Sequence, residues 1–175
     1  MKDRLGRFLV RWRQQVVLPH VTGRLLDIGC GQNALCRLYS GDAIGVDVYP
    51  WDGVDRVVAD TAALPFENES FDTVTIVAAL NHIPNRSEVL IEARRVLRPT
   101  GRLVVTMLRP MVSRAWHWLR RPWDADQTER GLASGEVFGL TRSQMHRLLT
   151  DAGYRVVCER RFMLGMNHLT IAERA

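Results

Sequence analysis

The sequence predicts an α/β fold, a doubly wound and mostly parallel sheet that ends in a C-terminal antiparallel strand pair. Strand and helix patterns alternate over 25–108, an order that right-handed crossovers turn into a parallel sheet. The first strand, at 25–28, breaks into a glycine turn from which a helix starts, and two strand patterns follow each other near the C-terminus. The 175 residues, 46% of them hydrophobic, suit a single domain over 1–175. We expect an insertion within it at about 109–136.

The first half of the chain opens with an amphipathic helix over 2–18. Apolar residues recur there at helical spacing, and Pro19 follows. The run over 71–79 is apolar almost throughout, which is typical of a strand covered on both faces. The further elements predicted in this half are strand Leu25–Ile28, helix Ala34–Tyr39, strand Ala43–Val48, strand Val54–Ala59 and strand Phe71–Ala79.

Two helices of the second half carry capping signals. Asn85 followed by Glu88 predicts one helix start, and Thr141 with Gln144 predicts the other. Gly153 suits the position just after the second of these helices. The elements predicted here are a helix to about Leu97, a turn over Arg98–Gly101, strand Leu103–Leu108, a helix ending at Gly153, and two antiparallel strands, Tyr154–Cys158 and His168–Ala172.

Composition limits the classes of protein. A formal charge of +5 and a pI of about 9.7 permit an anionic partner without indicating one, and the sequence has no recognisable nucleic-acid-binding module, so nucleic acid is not expected. No apolar run approaches the roughly 20 residues that span a bilayer, and no apolar segment follows the basic N-terminus as in a secretory signal. The three cysteines lack metal-binding spacing, which indicates reduced thiols. We therefore expect a cytoplasmic protein without a metal site.

The glycine turn after the first strand allows two readings. Glycines tolerate positive φ and let a ligand approach the backbone closely. Gly29 and Gly31, followed by Ala34, formally fit a dinucleotide fingerprint, with Asp47 at the end of the second strand. Alternatively, the turn meets the methionine tail of S-adenosylmethionine while Asp47 accepts hydrogen bonds from both ribose hydroxyls.

Several features favour S-adenosylmethionine over a dinucleotide. Asp27 lies two residues before Gly29, where a carboxylate suits the methionine ammonium and would repel a pyrophosphate. Asp60 closes the third predicted strand and can accept a hydrogen bond from the adenine amino group. Ala78 begins a stretch of small residues along which a cofactor can pack. The chain also ends in a strand pair instead of further βα units.

Four segments of this chain resemble class I S-adenosylmethionine-dependent methyltransferases. The resemblance is closest to the small type 11 methyltransferase domains, which include ubiquinone and menaquinone methyltransferases. Asn33 departs from the glycine that many members carry, but asparagine tolerates the left-handed region. The four segments are LLDIGCGQNAL (25–35), GVDV (45–48), VVADTAALPFENESFDTV (57–74) and RVLRPTGRLVVTM (95–107), with a looser match from Leu140.

The resemblance implies a Rossmann-like methyltransferase fold, S-adenosylmethionine as cofactor and a set of cofactor-binding residues. The methionine end would be bound at the glycine turn, the ribose after the second strand and the adenine after the third. The implied residues are Asp27, Gly29 and Gly31 for the methionine end, Asp47 for the ribose, Asp60 and Thr61 for the adenine, the carbonyl group of Ala78, and Val48 as a further cofactor contact.

The chemistry of methyl transfer requires little from the protein beyond alignment and exclusion of water. A general base is needed only if the acceptor arrives protonated. His82, in the loop after the fourth strand, is the candidate base, although it suits a structural histidine equally well. The Leu80–Ile83 loop lacks the Asn-Pro-Pro-aromatic pattern of methyltransferases that act on base amino groups. Asn167, placed in the bend between the last two strands, is a candidate substrate-binding residue.

The insertion carries an amphipathic pattern between Pro110 and Pro122. In helical projection, Met111, Trp116 and Leu119 share one side, and arginines share the other. This pattern suits either a helix that covers the substrate pocket, with Trp116 as a substrate-binding candidate, or a contact of residues 110–123 with a membrane surface. The sequence leaves both alternatives open.

The expected function is therefore methyl transfer from S-adenosylmethionine to a small apolar or amphiphilic acceptor, at oxygen or carbon. The acceptor would be a small molecule or a lipid-like molecule, and peripheral contact with the inner membrane face is compatible with it. Three other readings remain open at this stage: a non-catalytic protein that binds the cofactor as a regulator or scaffold, an NAD(P)-dependent enzyme, and an RNA methyltransferase.

Overall fold

The computed structural model describes residues 4–108, 110, 137 and 139–175. The predicted insertion at 109–136, including Trp116, lies outside the described residues except for Pro110. Two 3-10 turns, Leu18–His20 and Leu80–His82, join the regular elements. These are helices α1 (Arg4–Val17), α2 (Ala34–Leu38), α3 (Arg86–Val96) and α4 (Arg142–Asp151), and strands β1 (Leu25–Ile28), β2 (Ala43–Asp47), β3 (Arg56–Val57), β4 (Phe71–Val77), β5 (Leu97–Leu108), β6 (Tyr154–Phe162) and β7 (Asn167–Arg174).

The strands form one seven-stranded sheet in the order β3-β2-β1-β4-β5-β7-β6. Strands β1 to β5 pair in parallel, and β7 pairs antiparallel with both β5 and β6. The predicted doubly wound sheet with its C-terminal antiparallel pair is thus confirmed. The order of connection reverses between β1 and β4, and ligands of such sheets bind at this point, beyond the carboxyl ends of the strands.

The core lies on both faces of the sheet, because side chains of each strand alternate between them. All four residues of β1 are buried. Leu26 packs in the layer that includes Val89 of α3 and Leu149 of α4, whereas Leu25 packs in the layer that Leu9 and Trp12 of α1 cover. The apolar side of α1 is therefore used against the sheet. No helix among the described residues is long and apolar enough to cross a membrane.

The start of β5 and the end of β4 differ from the prediction. Strand β5 begins at Leu97, so the predicted turn over Arg98–Gly101 is wrong. Its pairing with β4 moves from Phe71↔Leu97 to Thr73↔Arg102, which makes that segment an irregular, bulged part of the strand instead of a break. Strand β4 ends at Val77, because Ala78 leaves the strand with a φ of +54°.

Strands β3 and β7 also correct the positions of two predicted site residues. Strand β3 has only two residues, so Asp60 follows it by three positions instead of closing it. Asn167 is the first residue of β7, paired with Leu108 and Phe162, and does not lie in the bend. The long antiparallel ladder with β5 extends the strand further than the apolar pattern indicates.

Candidate cofactor pocket

A cavity of about 380 Å³ lies at the carboxyl edge of the parallel strands. It collects residues from the ends of β1, β2 and β4 and from the segment after β3. The predicted site residues that line it are Gly29, Gly31, Asp47, Val48, Asp60, Thr61, Ala78 and His82. Residues separated by up to 53 positions in the sequence, from Gly29 to His82, thus meet at the edge where the switch in strand order predicts a ligand.

Most of the backbone N–H groups of the glycine turn already donate hydrogen bonds within the protein. The N–H groups of Gly29 and Cys30 donate to the carbonyl oxygen of Val46 at 2.9 and 3.1 Å, and the N–H of Asn33 donates to the carbonyl oxygen of Cys30 at 3.0 Å. The Gly31 N–H donates to the Asp47 carboxylate at 2.9 Å. A phosphate cradle needs such amides for its ligand, so these contacts disfavour the dinucleotide reading.

The two glycines of the turn have different environments. Gly29 has a φ of +71°, and a methyl group added to it would lie 2.5 Å from the Cβ of Ala79. Gly31 has a φ of +54°, but a methyl group added to it would meet no atom within 4 Å. Gly29 is therefore required by packing against the chain after β4, whereas Gly31 borders open space in the cavity.

Asn33 keeps the turn in shape despite being the departure from glycine. Its φ of +57° lies in the left-handed region, as the sequence predicts. Its amide nitrogen donates to the Asp55 carboxylate at 2.7 Å, and the same oxygen accepts the N–H of Gly45 at 2.7 Å. Asp55 thus joins the glycine turn to β2, a role that its position in a loop does not reveal from the sequence.

Asp47 is fixed at the end of β2 with both carboxylate oxygens in use. One accepts the Gly31 N–H, and the other accepts the N–H of Tyr49 at 3.0 Å. A carboxylate has about four lone-pair positions, so each oxygen retains a position for a further donor. Since Asp47 also lines the cavity, it can accept hydrogen bonds from two neighbouring hydroxyl groups.

Asp60 forms the opposite end of the cavity. It accepts the N–H of Ala62 at 2.8 Å and the side-chain amide of Asn85 at 3.1 and 3.2 Å. The Ala62 and Asn85 hydrogen bonds, in that order, hold the pKa of Asp60 below its usual value. The carboxylate is therefore ionised at neutral pH and acts only as an acceptor.

Asp27 lies beneath the cavity and does not line it. Its side chain is buried, and its carboxylate accepts the hydroxyl hydrogen bond of Thr75 at 2.6 Å. Burial raises the pKa of Asp27 to about 7, the Thr75 hydrogen bond acts against this shift, and the charge of Asp47 adds to it. Asp27 is thus placed to change its charge near neutral pH.

The segment after β4 bends sharply along the cavity. Ala78 adopts a φ of +54°, a conformation that costs an alanine energy and is often found at functional sites. Its N–H donates to the carbonyl oxygen of Thr106 at 3.1 Å. The His82 N–H donates to the carbonyl oxygen of Ala79 at 2.8 Å, which closes the turn that carries His82 to the cavity wall.

Asn167 is not part of this cavity, and Trp116 lies outside the described residues. Asn167 is buried at the start of β7, and its amide nitrogen donates to the sulfur of Met163 at 3.0 Å. Its amide oxygen has no hydrogen-bond partner in the part of the chain that the structure describes. Within the described ranges, no group of three or more His, Cys, Asp or Glu residues could hold a metal ion.

Six further residues line the cavity without being among the predicted site residues. Their common signal is position, because all follow a strand or belong to the loop after β4. Trp51 is the largest of them, and its ring contacts that of Tyr49 with centroids 4.4 Å apart. The six are Trp51, Ala59, Ala79, Ile83, Pro84 and Asn85.

The fold and the pocket place this protein in the class of Rossmann-like methyltransferase folds. Residues 26–105 match the family model described as "Methyltransferase domain". The 1,6-didemethyltoxoflavin-N1-methyltransferase of Burkholderia thailandensis shares the fold with a TM-score of 0.68 at 16% identity, over 97% of this chain and 82% of that one. The resemblance predicted from the sequence is confirmed.

Two curated relatives are similar to part of this chain. The 27-O-demethylrifamycin SV methyltransferase of Amycolatopsis mediterranei is 39% identical over 51% of this chain and 40% of its own length. The ubiquinone/menaquinone biosynthesis C-methyltransferase UbiE of Hahella chejuensis is 41% identical over 58% of this chain and 38% of its own length. The chain thus spans less than half the length of either relative.

Proposed function

We propose that this protein transfers the methyl group of S-adenosylmethionine to a small acceptor molecule. The observation that carries the proposal is the convergence of Asp47, Asp60 and the open side of Gly31 on one cavity. Two carboxylates in one cavity, Asp47 bonded to the glycine turn and Asp60 at the opposite end, suit a nucleoside with hydroxyl and amino donors. They do not suit a diphosphate, which their charge would repel.

Each end of the pocket offers groups that match one part of the cofactor. Asp47, with Val48 beside it, would bind the ribose hydroxyls, and Asp60 with Thr61 would bind the adenine edge. Gly29 and Gly31 would shape the space for the methionine end. The Ala78 carbonyl would accept a hydrogen bond from the methionine ammonium, whose positive charge the Asp27 carboxylate beneath the cavity would stabilise.

The bound sulfonium supplies an activated methyl group and a neutral thioether leaving group. The protein's contribution is to hold the acceptor in line with the carbon–sulfur bond and to exclude water. His82, on the cavity wall beside Ile83 and Pro84, is placed to orient a hydroxyl group or to accept its proton as a general base. An acceptor that is already nucleophilic would need only the apolar wall.

The acceptor is proposed to be apolar or amphiphilic and to be methylated at oxygen or carbon. The names of the two relatives support this, since one specifies an O-demethylated rifamycin and the other C-methylation in ubiquinone/menaquinone biosynthesis. Ile83 and Pro84 give the described wall near His82 an apolar character. Trp116 and Asn167 remain proposed substrate contacts.

Isothermal titration calorimetry with S-adenosylhomocysteine and with NAD tests the cofactor assignment. We expect binding of the former and none of the latter, and the reverse would establish the dinucleotide reading. Turnover is then assayed with radiolabelled S-adenosylmethionine against a demethylated quinone and a hydroxylated polyketide. Binding without turnover on any acceptor would favour a regulatory or scaffold protein instead of an enzyme.

We also propose that residues 110–123 bring the cytoplasmic protein to the surface of the inner membrane. The arginines and tryptophans of this segment suit the boundary between headgroups and acyl chains. The residues that flank the insertion support a clean test, because Gly139 packs against the backbone of Leu108 and Pro110. A short linker can therefore replace residues 111–136 without pulling on β5.

Liposome sedimentation compares the full chain with this deletion variant. We expect the full chain to sediment with vesicles that contain anionic lipid, and the deletion variant to stay in the supernatant while it still binds S-adenosylhomocysteine. Equal sedimentation of the two proteins, or none by the full chain, would remove the membrane contact and leave residues 110–123 as a cover for the pocket.

A further inference from the structure

Asn85 makes a contact that its sequence position does not predict. It directly precedes α3, where asparagine commonly caps a helix, yet its side chain makes no capping hydrogen bond. Instead, its amide nitrogen donates to both carboxylate oxygens of Asp60, at 3.1 and 3.2 Å. Asn85 also lines the cavity, so the helix start gives up a cap in favour of a contact at the pocket rim.

The consequence for Asp60 is a fixed orientation. Asp60 is exposed, and an exposed carboxylate is otherwise free to rotate between rotamers. The Ala62 N–H, at 2.8 Å, binds the Oδ1 atom, and the Asn85 amide bridges Oδ1 and Oδ2. Oδ2 therefore keeps the greater free acceptor capacity, and a ligand that binds there does not have to order the side chain first.

We infer that Asn85 is a positioning residue that sets the preference of the pocket for a 6-aminopurine. It holds Asp60 so that Oδ2 accepts the exocyclic amino group of adenine. This inference rests on the proposed function, because it takes the adenine to lie at Asp60. Asn85 itself acts through Asp60 and has no required contact with the reacting atoms.

The test compares two ligands on two proteins. The ligands are S-adenosylhomocysteine and its 6-desamino analogue, in which purine replaces adenine. The variant is Asn85→Ser, which keeps a residue able to cap α3 but is too short to bridge both oxygens of Asp60. Calorimetry gives the dissociation constants, and thermal unfolding checks that the variant is folded.

The expected result is a loss of discrimination, not merely of affinity. In the native protein, removal of the amino group deletes a hydrogen bond to a charged acceptor and weakens binding by about 10- to 100-fold. In Asn85→Ser, the ratio of the two dissociation constants falls to about a tenth of its native value. An unchanged ratio, with both ligands weakened equally or not at all, would overturn the inference.

Asn85→Asp serves as the second variant. Aspartate caps helices as well as asparagine does and suits a helix N-terminus electrostatically, but it places a second carboxylate beside Asp60. At pH 8 we expect S-adenosylhomocysteine to bind at least about 10-fold more weakly, with a melting temperature no lower than that of Asn85→Ser. Native-like affinity of Asn85→Asp would contradict the inference. If the native protein itself bound no S-adenosylhomocysteine, the proposed function would fail instead.

Discussion

Helices α3 and α4 start with the same type of local sequence but use it differently. At α4, Thr141 accepts the N–H of Gln144 at 3.3 Å, and the Gln144 side chain accepts the N–H of Thr141 at 2.8 Å. This is the capping box that the sequence predicts, and it is confirmed. At α3, the predicted start at Asn85 is confirmed, but the Asn85 side chain makes no capping hydrogen bond and its amide nitrogen donates to Asp60 instead.

The surroundings of the two helix starts explain the difference. Helix α3 begins at the rim of the cavity, where an exposed carboxylate competes for the asparagine amide. The first two turns of α4 pack against β6 instead, with Arg142 and His146 bound to Glu159 at 2.6 and 2.8 Å. Local pattern thus sets where a helix starts, and tertiary context decides what its first side chain binds. Variants at the cavity, which we call the pocket side, should affect ligand binding, and variants at the start of α4, which we call the α4 side, should affect only stability.

The largest effect is expected on the pocket side, from Asp47→Asn. The substitution removes the charge and turns one of two acceptors into a donor that faces a backbone N–H. Loss of two hydrogen bonds to a charged acceptor should weaken S-adenosylhomocysteine binding by about 100-fold or more. The unfolding free energy should fall by only about 1 to 3 kcal/mol. Calorimetry measures the ligand affinity, and urea titration measures the unfolding free energy.

The matched control is Asp52→Asn, an exposed aspartate close by that does not line the cavity. It removes the same charge, so native-like binding would show that the loss in Asp47→Asn comes from the specific contact. Equal weakening in both variants would instead mean that the cavity responds only to net charge, and the ribose assignment would be wrong.

The sequence predicts the fold better than it predicts the contacts within the site. The sequence pattern defines β1, β2 and α4 closely, because β1 and β2 are short apolar runs bounded by turns and the apolar residues of α4 recur at helical spacing. It misplaces the start of β5, where a bulge interrupts the pattern. The role of Asp27 towards the methionine ammonium stays a prediction, but its side chain is buried and does not line the cavity. Spacing in the sequence does not show how deeply a side chain is buried. For Asp27, the burial depends on how Thr75 and the neighbouring strands pack.

The next largest effect is a pH dependence of ligand affinity, which is again expected from a residue at the pocket. Because burial raises the pKa of Asp27 to about 7, the carboxyl is largely neutral at pH 6 and ionised at pH 8. A ligand ammonium gains from the ionised form, so the affinity for S-adenosylhomocysteine should rise by up to about 10-fold over this interval. Calorimetry at pH 6, 7 and 8 measures it.

Asp27→Asn should make that affinity independent of pH and leave it near the weaker, acidic value. The stability of the unliganded protein should change with pH in the opposite direction to the affinity. A raised pKa means that the folded state holds the proton more tightly, so native stability falls as pH rises from about 4 to about 7 and then levels off. Asp27→Asn should lack this fall, and a parallel pH dependence in both proteins would assign it to another group.

The smallest effect is expected on the α4 side, from Thr141→Ala. The substitution removes the side-chain acceptor for the Gln144 N–H and should lower the unfolding free energy by about 1 kcal/mol, whereas Thr141→Ser should restore it. Neither variant should change the dissociation constant of S-adenosylhomocysteine, because Thr141 is exposed and does not line the cavity. A change above about 3-fold, more than roughly 0.6 kcal/mol, would show that α4 and the pocket are coupled. Both helix starts would then affect ligand binding, and they would differ only in how strongly they do so.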